Sequence, residues 1–214
     1  GREKPGSAII LPKGRLDLVA GAHPKHKGVS LLLDQCRRLR IIGNDTLLMF
    51  HGYTSCFSLR HCQNIHIQGI TIDFQRPPFS IGEIIAAEDK TFDVRVFEEF
   101  PVKGGEPVEA FMDYDPKTKL PCKHGMDVYY GVEKTELLSP QVLRVHMKDN
   151  REVKTGRWAV LRHKVYGHCA IWVGDCEDVV VKDVTVYTIP VMGLVGLHSR
   201  DITLDGFRVV PKLN

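Results

Sequence analysis

Ten histidines, six cysteines and 26 acidic residues supply side chains able to do chemistry, and their spacing limits what that chemistry can be. His61-Cys62 and His168-Cys169 set a base beside a thiol. Neighbours along a strand point to opposite faces, so neither pair is a ready base and nucleophile. His163 and His168 are five residues apart, and His23 and His26 share one loop. Neither spacing supplies the three or four ligands of a metal centre, so no metal and no cofactor are expected. No GxSxG, HExxH, CxxC, P-loop or GxGxxG pattern is present.

Polar and aromatic residues at the ends of apolar runs are better candidates: Asp73 with Arg76, Arg162 with His163, Trp172 with Asp175, and His198. Such a set suits sugar binding, since an indole stacks on a pyranose while Arg, His and Asp bond its hydroxyls. Each has a plainer role to weigh against that one. Asp73, before a proline-rich turn, can cap backbone amides, and Trp172 can belong to the core.

What must position these residues is a stretch that recurs four times. The clearest copy is Cys56 to Phe74, CFSLRHCQNIHIQGITIDF, a short apolar strand, a polar turn and an alternating strand. Residues 169–187 and 193–209 repeat the plan, and residues 30–49 are a looser version. Aligned on Arg38, Asn64, Asp178 and Asp201, the copies lie 26 residues apart at the first step and 23 at the last. A period in the twenties made of short β runs signals a solenoid of several strands and turns per coil. The expected fold is all-β, a right-handed parallel β-helix. Ile65, Ile67, Ile70 and Ile72 face inward and the phase changes at Gly69, which marks a corner, as do Asp183 and Gly206.

The same alignment puts Cys36, Cys62, Cys176 and Ser199 at one equivalent position. Rungs stacked about 4.8 Å apart turn equivalent residues into a column. A packing column of free thiols is the reading, since buried Cys acts as a small hydrophobe; a disulfide between neighbouring rungs is geometrically possible.

Asn64 and Asp178 are 114 positions apart, far more than one coil needs. The excess starts at Arg76-Pro77-Pro78-Phe79, where consecutive prolines stop a regular strand. Alternating runs at 80–86, 91–97, 127–131, 141–148 and 157–161 then suggest a small antiparallel domain. Three segments result: coils over 1–75, an inserted antiparallel β domain over 76–162, and resumed coils over 163–214.

The composition, 43% hydrophobic and 26% charged, is that of an ordinary globular chain without a membrane span. The net charge is only +3, with basic residues scattered among acidic ones, so nucleic acid is not the expected partner. The oligomeric state is open. The chain begins with Gly1, carries no signal-like apolar run, and stops just after the run Phe207 to Val210, leaving an unpaired edge. A fragment of a longer solenoid is expected.

The stretch Asn64 to Phe74, with Pro77-Pro78-Phe79 and Gly82, resembles bacterial α-1,3-galactosidases of glycoside hydrolase family 110. So does Met192-Gly193 through Asp201-Ile202-Thr203-Leu204, followed by Val209-Val210-Pro211. Ile9-Ile10-Leu11-Pro12-Lys13-Gly14-Arg15 is similar to the first strand of many β-helix carbohydrate enzymes. The resemblance implies a secreted or periplasmic exo-glycosidase that removes terminal α-linked galactose from a glycan with inversion and without a metal. Inversion needs an acid and a base roughly 6.5–9.5 Å apart. The carboxylates of that role include an Asp-Asp pair, which this chain lacks, so the catalytic pair is expected beyond Asn214 and the seven residues above are expected to contact substrate. Two alternatives stay open: a β-helix polysaccharide lyase, which needs a base and often Ca²⁺, and a non-catalytic β-helix adhesin or structural module.

Overall fold

A computed structural model describes residues 6–19, 28–165, 168–189 and 191–210. The loop carrying His23 and His26 and the segment Tyr166-Gly167 lie outside the described residues. The chain separates into two compact units, Gly1–Gln75 with Tyr166–Asn214, and Arg76–Val165.

In the first unit the chain alternates between two parallel sheets. After β1 (Ser7–Ile10) and β2 (Gly14–Val19) come β3 (Val29–Asp34), β4 (Arg37–His51), β5 (Ser55–Arg60) and β6 (Gln63–Phe74). In the second unit follow β7 (Phe79–Glu88), β8 (Thr91–Val96), β9 (Ala110–Asp115), β10 (Leu120–Pro121), β11 (Asp127–Tyr129), β12 (Val132–Ser139), β13 (Val142–Met147) and β14 (Trp158–Arg162). The first unit resumes with β15 (Ile171–Gly174), β16 (Glu177–Val186), β17 (Leu194–Leu197), β18 (Arg200–Asp205) and β19 (Arg208–Val209).

One sheet runs β1-β4-β6-β16-β18, with β2 also on β4 and β19 also on β16; the other runs β17-β15-β5-β3. All their pairings are parallel. Register converts the sequence alternation into stacks of like residues. Leu39, Ile65, Val179 and Ile202 are successive partners, as are Ile41, Ile67, Val181 and Leu204. The facing sheet stacks Leu31, Phe57, Ile171 and Leu194. Apart from Leu204, which is exposed on the last strand of its stack, these residues belong to or pack against one apolar core, with Phe50, Phe57, Ile67 and Ile72 fully buried. Each such side chain contributes about 1.5–3 kcal/mol.

The pairing of β4 with β6 skips Gly43 to Asp45 and resumes at Thr46. β4 absorbs these extra residues as an irregularity between Ile42 and Thr46. The stacking is so close there that a Cβ on Gly43 would lie 2.2 Å from the carbonyl oxygen of Gly69. Gly69, Asp183 and Gly206 all take positive φ, at 70°, 49° and 67°, which bends each copy at the same place.

The second unit is an antiparallel sheet of order β10-β9-β14-β7-β8-β13-β12, with β11 also on β9. It has its own core around Ile84, Phe92, Phe111, Leu143 and Leu161. Sequence alternation does not reveal β9 or β12. β9 buries Asp113 in its apolar run, paired with Arg157, and β12 is an edge strand whose exposed charges hide its period. The compact unit runs to Val165. His163, Lys164 and Val165 bond back to Pro107 and Glu109.

Candidate functional site

Every passage from the β3-β5-β15-β17 sheet to its partner is a four-residue corner whose first and last residues have positive φ. The pairs are Gln35 and Arg38, His61 and Asn64, Asp175 and Asp178, and His198 and Asp201, all between 49° and 58°. Asn and Asp tolerate this left-handed region best among residues with a Cβ. Between them the Cys or Ser side chain turns inward. Cys176 donates its thiol to the Gly174 carbonyl (3.1 Å), and its sulfur accepts the Cys62 N–H (3.3 Å). Ser199 does the same with oxygen, accepting the Cys176 N–H at 3.0 Å. All six cysteines are free thiols, and burial pushes Cys62 and Cys169 up to about 11.

The other corner side chains project outward and line up because the rungs are in register. The His61 N–H bonds the Gly174 carbonyl, and the Asp175 N–H bonds that of Leu197. His61, Asp175 and His198 therefore form one outer column. The His198 Nδ1 lies 3.7 Å from the Asp175 Oδ1, both well exposed. Beside this column runs a shallow groove of about 590 Å³, whose lining includes Arg37, Gln63, Glu177 and Arg200. Glu177 pairs with Arg200 at 2.6 Å, and Asn64 donates to Asp178 at 2.6 Å on the next row. Trp172 stands on the outer face of β15, since Ile171 and Val173 point into the core. Its indole covers Gly174, where a Cβ would sit 2.8 Å from Nε1. The structure thus brings Trp172, Asp175 and His198 onto one stretch of surface. That stretch offers an aromatic face, a carboxylate acceptor and imidazole and amide groups, which is hydrogen-bonding chemistry rather than nucleophile activation.

Asp73 does not join them. It is 2% exposed, and its Oδ1 accepts the Phe74 N–H at 2.8 Å and the Thr188 hydroxyl at 2.6 Å. It fastens the end of β6 to the following rung.

Arg76, Arg162 and His163 belong to the second unit. Arg76 donates to the carbonyls of Pro77 and Phe79 and to the Ser80 hydroxyl (2.8 Å). His163 is fully buried, with Nδ1 2.7 Å from the Pro107 carbonyl and Nε2 2.8 Å from Ser80 Oγ. A carbonyl can only accept, so Nδ1 carries the proton and Ser80 donates to Nε2. Burial lowers the His163 pKa to about 4, aided by the Arg76 charge and opposed by the Pro107 bond. The imidazole is neutral at pH 7, and the Arg76–Ser80–His163 chain is an interior tie. Arg162 lies with its Cζ 4.9 Å from the centre of the Tyr129 ring and its Nη2 3.3 Å from Asp127. The stack crosses Ala110, the in-register neighbour of both Tyr129 and Arg162.

Two clusters escape sequence reasoning. Arg15 and His51 both bond Asp17, at 2.6 Å each, and draw its carboxyl down to about 2. The outward alternation of Arg15 and Asp17 along β2 was the available signal. Ser80 and His163 are 83 residues apart, and no local pattern links them. Among the described residues no group of three or more His, Cys, Asp or Glu could hold a metal ion, and no helix is long and apolar enough to cross a membrane.

No family model matches the chain. Individual proteins do. The alpha-1,3-galactosidase B of Bacteroides thetaiotaomicron is 24% identical over 243 residues, covering 98% of this chain and 39% of that protein. The alpha-1,3-galactosidase A of Bacteroides fragilis is 21% identical over 202 residues, covering 88% and 33%. The alpha-1,3-galactosidase B of Parabacteroides distasonis is 23% identical over 231 residues, covering 95% and 38%. The chain spans between 33% and 39% of the length of these three, and it is a distant relative of proteins that bear this enzyme name.

Proposed function

We propose that this chain is part of an exported glycoside hydrolase that removes terminal α-linked galactose from a glycan, acting from the chain end with inversion. The two parallel sheets are read as coils of a right-handed parallel β-helix, and the antiparallel unit as an insertion between coils. The observation that carries the proposal is coverage: similarity to proteins of one enzyme name extends over nearly the whole chain, 98% in one case, so both units lie within the shared region.

The outer surface of the first unit is the proposed substrate contact. Trp172 offers a flat apolar face to the ring, and Asp175 and His198 bond its hydroxyls. Arg162, stacked on Tyr129, is proposed as a contact in the second unit. Asp73, Arg76 and His163 hold the backbone and receive no substrate role. No acid or base is assigned among these residues.

The test offers the whole enzyme, of which this chain is proposed to be part, a terminal α-1,3-linked galactosyl disaccharide and its α-1,4 isomer and follows free galactose by NMR. Galactose appearing first as the β-anomer from the α-1,3 substrate is expected. Binding is read in parallel, where Trp172→Ala weakens galactoside affinity about tenfold, as for loss of one stacking contact. Neither galactose release nor galactoside binding by a folded protein would sink the proposal.

A further inference from the structure

We propose that the cleft beside the β9–β10 hairpin in the second unit is a binding site for a negatively charged group, a sulfate or carboxylate carried on a sugar. The sugar part rests on the glycoside hydrolase reading above; the anion part stands on the cleft itself.

The cleft has a volume of about 580 Å³, within the range of small-ligand sites. Three cations line it, Lys117, Lys123 and Arg157, against one anion, Asp115. That anion is already engaged. Asp115 Oδ1 accepts the backbone N–H groups of Lys117 (2.7 Å) and Thr118 (3.3 Å). The other nearby carboxylate, Asp113, is 2% exposed; it pairs with Arg157 Nη1 and accepts the Met126 N–H. Both acids keep their charge, Asp113 offsetting Arg157, so the excess positive charge at the cleft is that of Lys117 and Lys123 over Asp115, and neither lysine makes an ion pair among the described residues. Positive charges gathered round one concavity focus a field that attracts an anion.

The walls are built rather than loose. The Lys119 N–H closes the first turn on the Asp115 carbonyl (2.8 Å), and the Gly125 N–H closes a second on Cys122 (2.9 Å). Gly125 has no room for a side chain, since a Cβ there would lie 2.1 Å from Asp113 Oδ1. Asp113 thus fixes both the second turn and the guanidinium, which it holds through Nη1. A planar guanidinium held in this way matches a carboxylate or sulfate edge. Leu120, Pro116 and Pro121 supply apolar surface for ring C–H groups, and no aromatic residue lines the cleft. The stacking platform that single-stranded nucleic acid needs is therefore missing from it.

The test titrates the chain with a heparin-derived disaccharide, with digalacturonate, with lactose and with inorganic sulfate. Binding of one or both acidic disaccharides is expected, and which of them binds separates sulfate from carboxylate. In the Lys117→Gln/Lys123→Gln variant, whose changes are on exposed side chains, the affinity falls about tenfold or more, the scale of one or two charge-assisted bonds. Binding by lactose equal to that of the acidic sugars, or an unchanged affinity in the double variant, overturns the anion site. Inorganic sulfate binding as tightly as the disaccharides removes the sugar. Galactose release from a neutral galactoside by the whole enzyme tests the glycosidase reading separately, so the two can fail independently.

Discussion

The backbone N–H of Cys62 donates to the sulfur of Cys176 on the next rung, 3.3 Å away. One rung further on, the N–H of Cys176 donates to the hydroxyl of Ser199 at 3.0 Å. The column is thus a continuous set of bonds in which sulfur and oxygen are interchangeable acceptors. Cys176→Ser is expected to change stability by less than about 1 kcal/mol, whereas Cys176→Leu, which removes the acceptor and overfills the corner, costs about 1–3 kcal/mol. Urea unfolding of the two variants measures the difference.

The thiols divide by burial. Cys56, Cys62, Cys169 and Cys176 are buried, and Cys36 and Cys122 are partly exposed. Burial raises the pKa of all four interior thiols, which suppresses the thiolate that reacts. A thiol-specific chromogenic disulfide at pH 8 should titrate two groups in the native protein and six in denaturant. Six groups reacting at one fast rate in the folded state would contradict the buried column.

His163 makes the second unit sensitive to acid. Its folded pKa of about 4 lies below the ordinary 6.5, so the unfolded chain takes up the proton first as pH falls. Stability is full above pH 6.5 and declines from there to about pH 4, by about 3 kcal/mol in all. His163→Gln should flatten that part of the profile while lowering stability at pH 7. Unfolding curves between pH 4 and 7, followed by Phe97–Trp158 fluorescence in the second unit, provide the measurement.

Asp73 is expected to matter for folding. Asp73→Ala takes the acceptor from the buried Thr188 hydroxyl and one of two from the Phe74 N–H, which keeps Thr188 Oγ1 at 3.1 Å, and costs about 1–3 kcal/mol. Asp73→Asn keeps an oxygen in place and costs less. Because Asp73 and Thr188 bond directly, a double-mutant cycle with Thr188→Val should show coupling. Additive losses would mean the bond is not made in solution.

Glycine substitutions separate crowding from backbone strain. Gly43→Ala forces a Cβ against the Gly69 carbonyl, an overpacking expected to cost about 1–3 kcal/mol or more. Gly156→Ala meets nothing within 4 Å but keeps a φ of +78°, so it carries only the left-handed penalty of about 1–2 kcal/mol. Thermal melts of both variants rank them.

Much of the first unit was legible from residue order because stacked rungs repeat one local problem. Each copy needs inward β-branched or aliphatic residues at alternate positions, a residue tolerant of positive φ at the corner and a small side chain beside it. Ile65, Val179 and Ile202, then Asn64, Asp178 and Asp201, then Cys62, Cys176 and Ser199 meet those needs in turn, and their alignment is the register of the sheets. Tertiary structure alone decided the rest. Asp73 and Asp175 are both carboxylates at strand ends, yet one is sealed against Thr188 and the other faces solvent beside His198, because strand phase and the next rung determine which side is covered. His163 reads as a polar loop residue, but antiparallel pairing carries it opposite Pro78 and beside Ser80. β9 stayed hidden because its central Asp113 is compensated by Arg157 on a distant segment. Local periodicity records only what a residue's own strand demands; a partner that arrives from 44 or 83 residues away leaves no trace in it.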